Sequence, residues 1–398
     1  MNYRNAGTIE FLLDETGKFY FLEMNTRIQV EHPVTEMITN TDLVSLQLMV
    51  AAGNELTLKQ EDIRISGHAI EVRLCAEDAE NNFKPSVGKL VLWQIPEVAN
   101  SRIETFVKEG MTVSPNYDSL LGKLIVWDEN RSATLRKMQL ILSKTAISGI
   151  HTNLPFLSGL IESVDVQENN IYTRYVDENL DMINLQIQEK KGGLNQHKLA
   201  IAYFIFHFHQ KISSGNSVWT QIGFWRMMAQ MEVYVDDEKY ECRIISNSGN
   251  QILRINNQEY EVSVIPMNGN LLELNINRQP EAFYCLDDEK QTQIIADGFS
   301  FALRSNLVRN QVQPMRKNGN EQKIFQNLIC ADLFGKVLKL NRCEDDVVLA
   351  GQVLLTLESM KTEIQVLCPV DARVKKICVK EGNAVVEKQL LVELEEIS

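Results

Sequence analysis

The C-terminal part of the chain repeats itself, and that repeat limits its fold more than any other feature. At an offset of 37 positions Val337 meets Val374, Lys339 meets Lys376, Glu344 meets Glu381 and Gln352 meets Gln389. Leu354, Leu357 and Glu358 then meet Leu391, Leu394 and Glu395, and apolar character is kept between Leu340 and Ile377 and between Val347 and Ala384. One such unit cannot bury its apolar face alone, so two stack into a small β domain with pseudo-twofold symmetry. The second copy of the stretch around Met360-Lys361-Thr362 would fall at the chain end, so this tip has no covalent counterpart. A lysine at the apex of a tight hairpin between symmetric halves is what a swinging prosthetic group requires. The amine is exposed for acylation, and the hairpin is rigid enough to be recognised.

A second constellation opens the chain. Thr8 to Leu13 and Phe19 to Glu23 are apolar, aromatic-rich runs separated by the turn signal Asp14-Glu15-Thr16-Gly17, which predicts a hairpin. A two-residue loop pairs Glu10 with Glu23, and a four-residue loop pairs Glu10 with Phe21. Either way Glu10 and Glu23 share a face, joined by Asn25 if the strand continues. Two carboxylates and an amide oxygen suit a hard divalent cation such as Mg²⁺, and without one a cation or arginine should sit between them. Arg27, Gln29 and Glu31 follow at alternate positions, ahead of His32-Pro33. A fixed guanidinium grips an anion in bidentate fashion, and a nearby glutamate can serve as its base.

Between these ends the pattern is mixed. Thr35 to Ala52 reads as one helix stopped by Gly53, and Gly67 to Leu74 and Leu120 to Trp127 read as strands with a helix over Arg131 to Leu142. Asp181 to Gly193 is polar and reads as a boundary. A helix follows over Asn195 to Lys211, with Leu199, Tyr203, Phe206 and Ile212 near one face. His207 and His209 lie two apart, which splits them across that helix and favours packing over metal binding. From Met231 to Leu307 the period becomes two, with turn dipeptides at Asp236-Asp237 and Asn268-Gly269, as in an antiparallel barrel or sandwich. The polar stretch from Arg309 reads as a flexible linker.

The net charge of −13 excludes general nucleic-acid binding, which needs a basic face. No apolar run is long enough to cross a membrane, and Met1-Asn2-Tyr3-Arg4-Asn5 leaves no room for a signal peptide. The 7 cysteines are scattered with no Cys-x-x-Cys pair, which argues against a zinc site or disulfide framework and for a reducing cytosol.

Two resemblances give these patterns a meaning. Ser359-Met360-Lys361-Thr362 resembles the attachment motif of biotinyl domains, usually Ala-Met-Lys-Met, with Thr362 a departure. Met360 favours biotin over lipoate, whose domains usually carry Asp-Lys-Ala. The repeat's usual Gly-Asp or Gly-Asn turn is present at Gly382-Asn383, whereas Asp345-Asp346 lacks the glycine. The run Glu23-Met24-Asn25-Thr26-Arg27-Ile28-Gln29-Val30-Glu31-His32-Pro33 closely resembles the signature of biotin carboxylases, which are ATP-grasp enzymes. The likeness continues through Gly67-His68-Ala69-Ile70-Glu71-Val72-Arg73 and Tyr117-Asp118-Ser119-Leu120-Leu121-Gly122-Lys123-Leu124.

The resemblance implies that Glu10, Glu23 and Asn25 are metal-ligand positions and that Arg27, Gln29 and Val30 bind bicarbonate. Glu31 is then the base that deprotonates bicarbonate for attack on the ATP γ-phosphate, and Arg73 stabilises the biotin enolate. An ion pair of Arg73 with Glu71 is the structural alternative for that residue. The implied cofactors are biotin on Lys361, ATP, and Mg²⁺ or Mn²⁺.

The implied fold is α+β and multidomain. Residues 1–53 are an incomplete ATP-grasp domain and 54–182 a biotin carboxylase C-terminal domain. Residues 194–308 form a helix plus antiparallel β-barrel adaptor, 309–325 a linker, and 326–398 an all-β biotinyl domain of flattened-barrel type. This order is similar to the α subunits of acyl-CoA carboxylases. It implies a carboxyltransferase β subunit docked on the adaptor, with Gly223-Phe224-Trp225-Arg226 part of that pattern, and an acyl-CoA reached through it. A biotin protein ligase, bicarbonate and ATP, and a hetero-oligomer are also implied, in the bacterial cytoplasm or a mitochondrial matrix.

The family's first subdomain, its glycine-rich lid and its ATP-binding lysines have no counterpart in the sequence, so Met1 falls inside a domain. Two readings follow. One is the C-terminal portion of a carboxylase subunit, with little turnover by itself. The other is a non-catalytic carrier and docking module served by a separate biotin carboxylase.

Overall fold

The computed structural model describes residues 3–213, 230–246, 251–265, 267–288, 291–305, 327–360, 362–386 and 388–396. The linker at 309–325 and the segment Gly223 to Arg226 lie outside them, as does Lys361 itself.

The opening hairpin pairs β1 (Thr8–Leu13) with β2 (Phe19–Asn25). Its loop is neither of the two expected lengths. Leu13 faces Phe19 across a five-residue turn, in which Oδ1 of Asp14 accepts from the amides of Thr16 at 2.9 Å and Lys18 at 3.0 Å. An odd loop would set Glu10 opposite Leu22. A bulge between Glu10 and Phe11 shifts the register by one, so Glu10 faces Glu23 after all. Both sheet faces of this hairpin are open: Phe11, Leu13, Phe19 and Phe21 on one face and Leu12 and Tyr20 on the other are all exposed.

The single helix expected over Thr35 to Ala52 is two, α1 (His32–Thr39) and α2 (Leu43–Ala51). Asn40 takes a left-handed conformation, φ 53°, and Asp42 caps α2 by accepting from the Ser45 amide at 2.7 Å. Apolar spacing survives such a break, which is why the sequence reads as one helix.

A three-stranded sheet follows in the order β3 (His68–Cys75), β5 (Leu120–Asp128), β4 (Ser101–Thr105). One face carries Val72, Leu74, Leu121 and Leu124 into a core roofed by α3 (Arg131–Lys144) and α4 (Leu154–Glu162). The polar boundary expected at Asp181 to Gly193 is instead the C-terminal half of a 19-residue helix, α5 (Tyr175–Gly193). Ile183 and Ile187, one turn apart, are buried against α4, where a Cβ on Gly159 would come within 2.7 Å of Ile187. Tyr175 is buried as well, and Val176 and Leu180 pack on the same core, so the charged stretch continues an apolar face begun one turn earlier.

Helix α6 (Gln196–Ser213) leads into a closed eight-stranded antiparallel barrel. Its strands are β6 (Gln230–Val235), β7 (Glu238–Ser246), β8 (Gln251–Ile255), β9 (Gln258–Val264), β10 (Leu271–Ile276), β11 (Gln279–Asp287), β12 (Thr292–Ala296) and β13 (Phe299–Ser305). Both turn dipeptides were placed correctly: Asp236-Asp237 joins Val235 to its partner Glu238, and Asn268 bridges Leu271. The helix is not one-faced. Every residue from Leu199 to Phe206 is buried, and the helix touches β6, β7, β8, β10, β11 and β12, so it fills the barrel. His207 packs on Tyr203 and its Nε2 lies 2.8 Å from the Thr292 hydroxyl, a packing role as expected; the side chain of His209 lies outside the described residues. The barrel, α6 and the three-stranded sheet share one continuous core.

The carrier domain is a separate core of two four-stranded sheets. Their orders are β14 (Leu328–Cys330), β21 (Leu390–Glu395), β19 (Ala372–Ile377), β16 (Val347–Val348) and β18 (Thr362–Leu367), β17 (Val353–Ser359), β15 (Gly335–Leu340), β20 (Ala384–Val385). Shifting β15 and β16 by 37 positions reproduces β19 and β20, and the bulge at Val337/Lys339 recurs at Val374/Lys376. The repeated polar residues bind reciprocally. Oε1 of Glu344 accepts from the Ile377 amide at 3.0 Å, and Oε1 of Glu381 from the Leu340 amide at 2.9 Å. Asp345 sits at φ 72° where its mate Gly382 sits at 85°, so the missing glycine leaves the turn unchanged.

Candidate active site and carrier tip

The face of the sheet opposite the core is charged. In antiparallel pairing Lys123 lies across from Arg73 on one side and from Glu104 on the other, while Ile125 lies across from Glu71 and Arg102. Helix α1 and the turn before it cover this face, and Arg102 donates to the buried Glu36 of α1 at 2.6 Å. Glu36 in turn accepts from the Leu43 amide at 2.6 Å, which ties α1 to α2.

The sequence-derived site residues gather here, with corrections. The even spacing of Asn25, Arg27, Gln29 and Glu31 does not mark one strand face, because β2 ends at Asn25 and the chain turns. The His32 amide donates to the Gln29 carbonyl at 3.3 Å, and Pro33 enters α1 within its first turn. The turn still collects the side chains. Arg73 Nη2 donates to Glu31 Oε2 at 2.7 Å, joining β3 to the end of this segment, and both side chains are about half exposed (53% and 47%). The alternative partner Glu71 is not used: its side chain is 4% exposed and its nearest cation is Lys123 at 3.9 Å. Arg27 leans on the Ile28 carbonyl at 3.2 Å with its guanidinium otherwise exposed.

Glu10, Glu23 and Asn25 do converge. The Asn25 amide nitrogen lies 2.8 Å from Glu10 Oε1 and 3.1 Å from Glu23 Oε1, in the position expected of a cation between two carboxylates. Rotating that amide presents Oδ1 and completes an oxygen set for a hard divalent ion. Gln29 links the two clusters. Its Nε2 reaches Glu10 at 3.4 Å, while its Oε1 accepts from the Thr8 hydroxyl at 3.0 Å.

Sequence reasoning gave no role to Lys123 or Glu104, and considered Glu71 only as a partner for Arg73. Lys123 Nζ donates to the Val30 carbonyl at 2.6 Å and to Glu104 at 2.7 Å, from a side chain 9% exposed. A lysine in the middle of the apolar run Leu120 to Trp127 was the available signal. Burial pushes the Glu71 carboxyl up to about 7 against the pull of Lys123 and Arg73. Burial acts on Glu104 in the same sense, but bonds from Lys123 and Arg102 outweigh it and hold that carboxyl below its ordinary range.

At the other site, Ser359 pairs with Thr362, the last pair of the hairpin next to the tip. Met360 takes φ 47° and is buried, so the loop is tight and anchored inward at the residue before the lysine.

Comparison with known proteins agrees with this arrangement. Residues 1–59 match the ATP binding domain of the carbamoyl-phosphate synthase L chain, 71–178 the biotin carboxylase C-terminal domain, and 334–394 the biotin-requiring enzyme domain. These matches are to the domains of biotin-dependent carboxylases, a class of ligases, and go with biotin and ATP. Within that class, the relatives it resembles along its whole length are acyl-CoA carboxylase α subunits. It is 32% identical to the mitochondrial methylcrotonoyl-CoA carboxylase subunit alpha of Rattus norvegicus over 100% of this chain and 56% of that protein. It is 30% identical to the mitochondrial propionyl-CoA carboxylase alpha chain of Mus musculus, over 99% and 56%. Its first part is 48% identical to the biotin carboxylase of Haemophilus influenzae, over 46% of this chain and 40% of that protein. The biotin carboxylase domain of the Hydrogenobacter thermophilus 2-oxoglutarate carboxylase superposes with a TM-score of 0.44 at 43% identity, covering 45% of this chain and 40% of that one. The chain spans about half the length of its full-length relatives, 56% in both cases.

Proposed function

We propose that this chain is the biotin-bearing part of an acyl-CoA carboxylase α subunit, holding the bicarbonate and metal half of a biotin carboxylase site. The observation that carries this reading is the Glu31–Arg73 pair at 2.7 Å, set beside the Glu10, Glu23 and Asn25 cluster. A divalent ion held by those three side chains would neutralise nucleotide phosphates. Arg27, the Gln29 side chain and the Val30 backbone bind bicarbonate, and Arg27 fixes its orientation. Glu31 takes the bicarbonate proton, which frees the oxygen to attack the γ-phosphate; the bond to the β-phosphate breaks, giving carboxyphosphate and ADP. Arg73 then offers its guanidinium to the negative charge that develops on the carboxyl acceptor. Lys361 carries biotin, attached by a biotin protein ligase, and the barrel docks a carboxyltransferase β subunit that brings the acyl-CoA, in a bacterial cytoplasm or a mitochondrial matrix.

The exposed hairpin and the lack of a glycine-rich phosphate loop in the sequence support little bicarbonate-dependent ATP hydrolysis by this chain alone. Joined to the remaining ATP-grasp elements, it should turn over, and Glu31→Gln should lower that rate by about 100-fold or more. Unchanged turnover in Glu31→Gln would remove the assigned base. For the carrier, intact mass after co-expression with a biotin ligase should show one biotin adduct that is absent from Lys361→Ala. An adduct persisting in that variant refutes the attachment site.

A further inference from the structure

The segment that carries Arg27, Gln29 and Glu31 is not a strand, so sheet hydrogen bonds do not hold it. Its side-chain ties are few and face different ways. Gln29 leans towards Glu10, and Glu31 towards Arg73 through a solvent-exposed pair. Gln29 is also met by the Thr8 hydroxyl at 3.0 Å and, at its carbonyl, by His32 Nδ1 at 2.8 Å, whereas the tie from the three-stranded sheet runs through the backbone, where Lys123 Nζ donates to the Val30 carbonyl at 2.6 Å. We infer that Lys123 is a positioning residue, whose buried ammonium sets the height of the 27–31 segment above the sheet and hence the distance between the bicarbonate groups and Arg73. The inference rests on the reading of that segment as the bicarbonate site.

Three features support it. First, Lys123 is on the central strand, directly across from Arg73, so one rigid row of the sheet fixes both the tie and the arginine it serves. Second, the ammonium cannot wander. Glu104 holds it at 2.7 Å, and Glu104 is itself gripped by Arg102, which also holds Glu36 of α1. Third, a lysine this deeply buried would be costly without acceptors, and its two acceptors are the Glu104 carboxylate of a neighbouring strand and the Val30 carbonyl of the segment, with Glu71 only 3.9 Å away as a further charge. A purely structural ion pair would need only the carboxylates, not the carbonyl of the segment.

Lys123→Met keeps the length and removes the charge and donor. In this chain, exchange of the His32 and Val34 amides, which bond to the Gln29 and Glu31 carbonyls, should quicken while amides of β5 keep their protection. In a complete subunit built from this chain and the remaining ATP-grasp elements, KM for bicarbonate should rise about 10- to 100-fold with KM for ATP unchanged. Lys123→Arg, which can still reach the carbonyl, should recover a large part of both. If Lys123→Met leaves too little folded protein, Lys123→Met/Glu71→Gln removes the stranded carboxylate and carries the same test. Unchanged exchange at His32 and Val34, or equal rises in both KM values, overturns the inference. Arg27→Ala separates it from its premise. If that variant leaves bicarbonate KM unchanged while the exchange response to Lys123→Met persists, the bicarbonate reading falls and the positioning role stands.

Discussion

The hairpin at one end of the chain and the carrier domain at the other both present apolar β surface, and they treat it in opposite ways. The carrier folds its two sheets onto each other, so Val337, Leu354, Leu357 and their mates Val374, Leu391 and Leu394 are all buried. The hairpin has two strands and nothing of its own to fold against, leaving Phe19 69% and Leu13 74% exposed. A two-stranded ribbon with both faces wet is at best marginally stable. Strand pairing is therefore the same in both regions, and independence comes from a second layer.

That comparison can be broken or sharpened by substitution. The largest effect is expected in the carrier core, where Leu354→Ala and its mate Leu391→Ala should each cost about 2–5 kcal/mol in denaturant melts of the whole chain. A large inequality between the two would show that the halves are alike in sequence but not in packing. Next comes the buried carboxylate under the candidate site. The Glu71 carboxyl is raised from 4.5 to about 7, so the folded state holds its proton more tightly than the unfolded state. Its contribution therefore becomes destabilising as pH rises from about 4.5 to about 7, and the penalty is fully present above that range. Glu71→Gln should raise Tm relative to the parent at pH 8 and lose that advantage at pH 4.5; a pH-independent difference would contradict it.

Smaller effects test the symmetry itself. Glu344→Ala and Glu381→Ala each remove one bond to a backbone amide of the opposite half and should cost about 1 kcal/mol each, in equal measure, by urea titration. Asp345→Gly relieves a left-handed aspartate and should gain at most about 1 kcal/mol, whereas Gly382→Ala, at φ 85°, should lose stability. The smallest change belongs to the hairpin. Phe21→Ser should alter the stability of this chain by less than about 0.5 kcal/mol while reducing hydrophobic-dye binding. A cost above 1 kcal/mol would mean that the hairpin is covered.

What the sequence made legible follows the same division. The 37-residue repeat gave the carrier's strands, its symmetry and its tip, because period and pairing coincide there. The Glu10/Glu23 face was read correctly through a wrong loop: an odd turn and a compensating bulge cancel, and neither leaves a mark in the apolar pattern. The spacing from Asn25 to Glu31 was read as a strand because alternation looks alike in a turn. Helix α6 was read as one-faced because a helix ringed by strands has no polar side to show. Lys123 was overlooked because its partners, Val30 and Glu104, lie far from it in sequence and meet it only once three strands and a turn have assembled.

That ringed helix has a consequence for synthesis. The last barrel strand, β13, whose Ser305 pairs with Val233 to close the ring, follows α6 by roughly ninety residues. At about 5–20 residues per second, the helix waits about 5–20 s before its enclosure is complete. During that interval Leu199 to Phe206 form a fully apolar cylinder with no wall around it, so the barrel and helix mature as one event late in translation. A ribosome stalled before Phe299 would display this helix to chaperones as a long hydrophobic ligand.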